Sequence, residues 1–200
     1  MPKALERKIL VAEEAGFSVA VHAIGERAVD VVLDALSKTK NPSEHRIEHA
    51  MALNENSLRR ISQMQVRTVV QPEFLSAFHK TYFSRLKESV ARKLKPLRTL
   101  IDRGARVALS SDRPIVEGNP WTGIYSASHR EEFGFDPSEN ITLEEAVRLY
   151  TQGGAMANGE ERRYGDVDIG AYADFQVFEE YILETTSRLK NVYINGYYSQ

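Results

Sequence analysis

Three side chains that can hold a divalent metal occur at comparable places in the chain. His22 lies near the end of a short apolar run, His49 ends a second run, and Asp112 follows a later one. Neutral imidazole nitrogens and carboxylate oxygens suit Zn²⁺, Fe²⁺ or Mn²⁺. Such a metal lowers the pKa of a bound water toward ~7, and a neighbouring carboxylate can then take the proton. This set indicates metal-assisted hydrolysis, with Asp112 as the candidate for proton transfer.

The spacing of these residues fits the repeat of a parallel α/β fold. A (β/α)8 barrel uses about 250 residues for eight units, or roughly 31 residues per unit. His22 and His49 are 27 residues apart, and Asp112 follows 63 residues after His49. These distances correspond to one unit and two units. Because the carboxyl ends of parallel strands face the same side of the fold, the three side chains can converge on one point.

Each candidate also has a purely structural interpretation. A single histidine at a strand end is more often a hydrogen-bonded structural residue than a ligand, and an aspartate after a strand often serves in a turn. Gln71 ends another strand. It either faces the same centre and contacts the substrate, or it is a buried amide that satisfies loop backbone groups. His45 precedes its strand and is expected to face solvent, whereas His79 and His129 fit structural or surface roles.

Four strands alternate with helices before residue 158. The predicted strands cover residues 17–23, 46–50, 66–70 and 106–110. Helices are predicted before Gly16, over residues 26–36, after Asn54, up to about Asp102, over 120–128 and over 142–156. This alternation is typical of an α/β fold with a parallel sheet. After the third strand we predict a loop whose rings either shape an apolar pocket or pack into the core: Phe74, Phe78, Tyr82 and Phe83.

The pattern changes after about Gly159. Short β-type runs at residues 175–178 and 191–194 are separated by Gly and Asn, and helical periodicity is absent. We therefore predict two domains, an α/β domain over residues 1–158 and a small β appendage over residues 159–200.

Composition excludes several classes of protein. The 26 basic and 28 acidic residues give a net charge of −2, which provides no electrostatic footprint for nucleic acid or an anionic membrane. Cysteine is absent, so disulfides, Cys-based zinc sites and thiol nucleophiles are excluded. No apolar run approaches the roughly 20 residues of a membrane span, and the first residues do not read as a signal peptide. We expect a cytoplasmic protein that binds neither nucleic acid nor membranes.

Several motifs resemble, in order along the chain, those of the metal-dependent amidohydrolase superfamily, and in particular its branch of N-substituted formamide deformylases. Residues 21–28 (VHAIGERA) resemble the histidine motif of the fifth barrel strand, and residues 46–50 (RIEHA) that of the sixth. Residues 110–114 (SSDRP) are similar to the aspartate motif of the eighth strand. Later segments also match: residues 119–130, 142–151 and 165–174.

The resemblance implies the C-terminal half of a (β/α)8 TIM barrel, with strands five to eight, followed by a small β-sandwich tail. It implies that His22 and His49 are metal ligands and that Asp112 is both a ligand and the proton shuttle. Zn²⁺ is the first expectation, with Fe or Mn as alternatives. The implied activity is hydrolysis of an amide-like, non-peptide C–N bond in a small molecule. Arg113 stands where the family often has an apolar or aromatic residue, which changes the pocket.

The sequence also departs from the family by lacking a His-x-His pair, which the family carries on its first barrel strand. Half a barrel has two unpaired sheet edges, which favour association. We therefore expect a homo-oligomer or a complementing N-terminal half, and weak or no hydrolysis by this chain alone. One alternative is a non-catalytic fragment that binds metal or a complementing chain and forms an oligomer. Another is an unrelated α/β binding module whose His and Asp residues are structural.

Overall fold

The computed structural model describes residues 2–179 and 188–199. Its helices are α1 (Pro2–Glu14), α2 (Glu26–Leu36), α3 (Glu55–Met64), α4 (Glu73–Arg85), α5 (Glu88–Ala91), α6 (Leu97–Asp102), α7 (Pro120–Ser128) and α8 (Leu143–Asn158). Its strands are β1 (Ala20–Ala23), β2 (Arg46–His49), β3 (Arg67–Val70), β4 (Val107–Leu109), β5 (Phe175–Phe178), β6 (Leu189–Ile194) and β7 (Tyr197–Ser199). Short 3₁₀ helices cover Pro42–Glu44, Arg130–Phe133 and Pro137–Glu139.

Strands β1 to β4 form one parallel sheet in chain order, which confirms the predicted α/β fold. Ile47 and Val107 face the helices and belong to the main core, together with helix residues such as Leu33 and Leu97. The other face carries one residue from each strand in matched register, and these four residues line a cavity: His22, Glu48, Val69 and Ala108.

The predicted helix starts are confirmed by their capping contacts. The Asn54 side chain accepts a hydrogen bond from the Ser57 backbone N–H at 2.8 Å and caps α3. Thr142 and Glu145 form the reciprocal capping box that begins α8. These side chains satisfy backbone N–H groups that a helix leaves without partners in its first turn.

Helix α8 crosses the edge of the sheet at β4. The Arg106 carbonyl accepts the Thr68 N–H from β3, so the next carbonyl, that of Val107, points away from β3 toward the edge. Gly153 lies against this carbonyl. A Cβ atom on Gly153 would stand 2.8 Å from the Val107 oxygen and 3.1 Å from the Ala108 Cα. The helix can approach this closely because residue 153 has no side chain.

The two ends of α8 therefore pack on opposite faces of the sheet. Its first half joins the main core through Ala146, Val147, Leu149 and Tyr150. Its last turn contributes Met156 and Ala157 to a separate cluster with Val69 and Ala108 on the cavity face. The Arg46 guanidinium on β2 donates to the Asn158 Oδ1 at 2.8 Å and ties this last turn to the same face.

The aromatic segment after β3 is a helix, so the predicted loop is wrong. Phe74, Phe78 and Tyr82 are spaced four residues apart and form a ladder on α4, with ring centroids 5.1 Å and 6.3 Å apart. Tyr82 and Phe83 pack against the buried Phe135 ring, so these rings belong to the core. The single helix predicted between this segment and Asp102 is two separate short helices, α5 and α6.

His45 is buried rather than facing solvent, and that prediction is also wrong. Its side chain is enclosed where the chain approaches β1, and its Nδ1 accepts the Val19 N–H at 3.2 Å. Glu13 Oε1 lies 3.7 Å from the His45 Nε2. Burial lowers the pKa of His45, and the nearby Glu13 charge opposes this effect only in part.

A second, antiparallel sheet is formed by β5, β6 and β7. Its strands are held in part by stacked rings, since Phe175 and Tyr193 lie 4.6 Å apart. The predicted division after residue 158 stays a prediction, and residues 180–187 of the predicted appendage lie outside the described residues. None of the helices in the described part of the chain combines the length and apolar character needed to cross a membrane.

The crossing of α8 over β4 predicts opposite effects for two adjacent glycines. Gly153→Ala places a methyl group against β4 backbone and should destabilise the fold by about 1–3 kcal/mol. Gly154→Ala, whose Cβ meets no atom within 4 Å, should stabilise it by about 0.5–1 kcal/mol through helix propensity. Urea unfolding of both variants measures the difference. Equal effects would contradict the close approach of α8 to the strand.

The buried His45 predicts a loss of stability at acidic pH. Its pKa is lower in the folded chain than the ordinary 6.5, so its contribution is complete above pH 6.5 and is lost as the pH falls below it. Protonation also removes the Nδ1 acceptor of the Val19 N–H. Between about pH 8 and about pH 5, wild type should lose more unfolding free energy than His45→Asn, which keeps an acceptor. Parallel pH curves would refute this role.

Candidate functional site

A cavity of about 610 Å³ lies over the cavity face of the parallel sheet and its carboxyl edge. It brings together all four residues that the sequence singled out: His22, His49, Gln71 and Asp112. Convergence follows from the parallel order of the strands, because each residue stands at or just beyond the carboxyl end of its own strand. Arg46, Ala157 and Asn158 line the other end of the cavity.

His49 is oriented by Gln71. The His49 Nδ1 lies 2.8 Å from the Gln71 Oε1. The Gln71 amide nitrogen donates to Ser110 Oγ at 3.0 Å and to the Val69 carbonyl at 3.3 Å, which assigns the oxygen as the group facing His49. Nδ1 must then be the donor, so the lone pair of the neutral ring is on Nε2. A histidine fixed in this tautomer presents Nε2 as a ligand or a base.

The backbone bends sharply at this point. His49 and Ala50 have φ angles of 76° and 42°, and Asp112 has a φ of 59°. Non-glycine residues rarely adopt this left-handed region, and such strain is concentrated at functional sites. Both strained turns direct a candidate ligand into the cavity.

The three candidate ligands lie close to one another. The rings of His22 and His49 meet edge to face with centroids 4.5 Å apart, and the His49 Nε2 is 3.9 Å from the Asp112 Oδ2. Burial lowers the pKa of His49, and the neighbouring His22 adds to this effect. The neutral ring that results is the form that binds metals.

The donor set fits a divalent ion in its chemistry. Two imidazoles and one carboxylate suit Zn²⁺ and related ions, and the Nε2 lone pair of His49 faces the Asp112 carboxylate. However, within residues 2–179 and 188–199 no group of three or more His, Asp or Glu side chains has the arrangement of a metal site. The predicted ligands therefore share a cavity without forming a closed coordination shell.

Gln71 is a buried amide whose polar atoms are taken by its neighbours. Its side chain is 1% exposed, and it contacts the three groups named above. These contacts fit the interpretation of Gln71 as a buried structural amide. The predicted role of Gln71 in substrate binding stays a prediction.

The remaining histidines lie away from this cavity. His79 contacts the Ser76 carbonyl through Nδ1 at 2.8 Å, and His129 stacks on Tyr125 with ring centroids 4.3 Å apart. Neither ring is among the residues that line the cavity.

Sequence reasoning missed Lys95, which lies behind the site. Its side chain is fully buried, and its Nζ stands 5.0 Å from the centroid of the Phe74 ring, which in turn stacks on His49. Burial, with a further contribution from Arg130, lowers the pKa of Lys95 to about 7, while Asp112 opposes this shift. The sequence offers only a lysine before a proline, which carries no signal of burial.

Arg130 fixes the backbone at Lys95. Its guanidinium donates to the Lys95 carbonyl at 2.7 Å and to the Leu94 carbonyl at 2.6 Å. The Lys95 N–H donates to the Met51 carbonyl, just beyond the His49 turn. The segment before α6 is thereby attached to the loop that follows β2.

Comparison with known proteins shows the family to which the chain belongs. A sequence profile of the amidohydrolase family matches residues 1–197. The chain is 35% identical over 181 residues to YtcJ of Bacillus subtilis (strain 168). The alignment covers 86% of this chain and 34% of YtcJ. It is 29% identical over 176 residues to the N-substituted formamide deformylase of Arthrobacter pascens, covering 84% and 32% of the two chains.

A solved structure has a similar fold. A metal-dependent hydrolase from Pyrococcus furiosus superposes with a TM-score of 0.78 at 35% identity, covering 86% of this chain and 35% of the other. The chain thus spans about a third of the length of these relatives. Because the family match extends over nearly the whole chain, an unrelated α/β binding module is excluded. The protein is a member of the amidohydrolase family.

Proposed function

We propose that this chain supplies strands five to eight of a (β/α)8 barrel in a metal-dependent hydrolase, with β5 to β7 as part of a β-sandwich tail. The reaction is cleavage of an amide-like, non-peptide C–N bond in a small molecule. The observation that carries this proposal is the convergence of His22, His49 and Asp112 in one cavity of an amidohydrolase-family chain.

The residues of this chain have separate roles in that reaction. His22 and His49 hold the metal, His49 through Nε2, and Gln71 keeps the His49 proton on Nδ1. A divalent ion bound here, with Zn²⁺ the first choice and Fe²⁺ or Mn²⁺ as alternatives, would polarise the carbonyl of the substrate and activate water. Asp112, whose side chain is 40% exposed, is a ligand and also takes a proton from water at its carboxylate. It then returns the proton to the leaving nitrogen.

We also propose that this chain needs a partner for turnover, either a complementing N-terminal segment or a second copy. β1 and β4 are the edges of the described parallel sheet. The chain matches about a third of each relative, so roughly two thirds of each relative has no counterpart in this chain. A closed barrel has no such edges. The alternative is a non-catalytic chain that binds metal or a complementing chain and forms an oligomer, and the two edges of the described parallel sheet support such association.

Metal content tests the proposed site directly. We expect close to one Zn, Fe or Mn per chain, measured by elemental mass spectrometry on protein purified without a chelator or His tag. The His22→Ala/His49→Ala variant should lose this metal, because two of three ligands are gone. His79→Ala is the control and should retain it. No metal in the wild-type chain, or metal retained in the double variant, would refute the site.

Activity should depend on the part of the barrel that this chain does not contain. We expect the purified chain to hydrolyse an N-substituted formamide weakly or not at all. Addition of the separately expressed part of YtcJ that this chain does not match should restore turnover, and His49→Ala should abolish the restored activity. Full turnover by the isolated chain would contradict the need for a partner. Metal binding without turnover in the mixture would favour the non-catalytic alternative.

A further inference from the structure

The loop that carries Asp112 is attached at both ends to the segment that follows β3. We define this Asp112 loop as residues 110–118. At its start, the Ser110 N–H donates to the Val70 carbonyl, and the Ser110 Oγ accepts from the Gln71 amide. At its end, the Gly118 N–H donates to the Glu73 Oε2 at 3.2 Å. Two side chains that are two residues apart therefore hold the two ends of this loop.

Glu73 is a buried carboxyl group that the proposed reaction does not use. It is 4% exposed and begins α4. Within the described residues, its Oε2 accepts a hydrogen bond from the Gly118 N–H. Burial raises its pKa, and the charge of Glu117 adds to this effect. A buried carboxyl group is costly, so a fold that keeps one at the end of this loop is expected to use its hydrogen bond.

Gly118 lies beside the two residues that flank Asp112. Its φ of +83° is the left-handed conformation that glycine adopts without strain. A Cβ atom at this position would lie 3.2 Å from the Arg113 Cβ and 3.3 Å from the Ser111 Oγ. The end of the loop is thus folded directly onto the residues that flank Asp112. Because Gly118 lies this close to Ser111 and Arg113, a shift of Gly118 is expected to be passed on to them.

We propose that Glu73 is a positioning residue for Asp112. By accepting the Gly118 N–H, its buried carboxyl group fixes the Asp112 loop so that the Asp112 carboxylate remains directed at His49. Glu73 acts through Gly118 and the loop, and it contacts neither substrate nor metal. The restraint on the loop stands on the contacts above, whereas its consequence for catalysis rests on the proposed function.

Amide hydrogen exchange measured by NMR tests the restraint without any metal. The reporters are the Gly118 N–H and the Ile115 N–H, which donates to the Asp112 carbonyl. Glu73→Ala removes the acceptor and should speed exchange at both amides by about tenfold, the effect of losing one hydrogen bond. Glu73→Gln retains an acceptor oxygen and should stay close to wild type. Glu117→Gln, on an exposed neighbour of the same loop, is the matched control.

The exchange data separate positioning from general destabilisation. Amides of β3 and α2 should exchange at wild-type rates in Glu73→Ala, which shows that the fold is intact. Acceleration at Gly118 but not at Ile115 would overturn the proposal, because the Asp112 turn would then be independent of Glu73. Unchanged exchange at both amides, or acceleration in Glu117→Gln equal to that in Glu73→Ala, would also overturn it.

Visible absorption of the chain loaded with Co²⁺ tests the effect on Asp112 itself. If Glu73 positions this carboxylate, the spectrum of Glu73→Ala should shift toward that of Asp112→Asn, and Glu73→Gln should restore the wild-type spectrum. An unchanged Glu73→Ala spectrum would overturn the positioning role. A wild-type chain that binds no Co²⁺ would refute the proposed function, and the exchange at Ile115 would still decide whether Glu73 fixes the Asp112 turn.

Discussion

The side-chain amide of Gln71 is the interaction on which the candidate site depends. It links three neighbouring strands at their carboxyl ends through His49 at the end of β2, Val69 within β3 and Ser110 after β4. A hydrogen bond of this kind contributes about 0.5–1.5 kcal/mol, but an unsatisfied buried partner costs about 1–3 kcal/mol. The structural constraint and the chemical one coincide here, because the same oxygen that satisfies a buried ring also decides which nitrogen of His49 is open toward Asp112.

Local signals made much of the fold predictable from the sequence. Apolar periodicity and capping residues such as Asn54 and Thr142 act within one or two turns, and the structure confirms the strands, the parallel sheet and these helix starts. At Phe74 the sequence predicts a loop, because an aromatic run follows Gln71-Pro72, although its spacing of four residues is that of the helix found there. Position in the chain also predicted that His22, His49 and Asp112 would share a cavity.

Long-range burial explains what sequence reasoning did not find. His45 was expected to face solvent because it precedes its strand, yet the approach of Val19 and Glu13 encloses it. Lys95 is buried beside Phe74, its backbone is held by Arg130, and these residues are distant in sequence. The close contact of α8 with β4 depends on Gly153, and a glycine within a helix does not reveal which strand it approaches. In each case the environment is created by tertiary packing.

The passage of α8 across β4 makes the two edges of the parallel sheet unequal. At β1 the residues Ala20 and His22 are exposed, whereas at β4 the Val107 carbonyl lies against Gly153, and the last turn of α8 is held on the cavity face by Arg46. A strand added beside β4 would therefore have to displace this turn from its contacts with Val69 and Ala108, so closure of the sheet at this edge would require α8 to move.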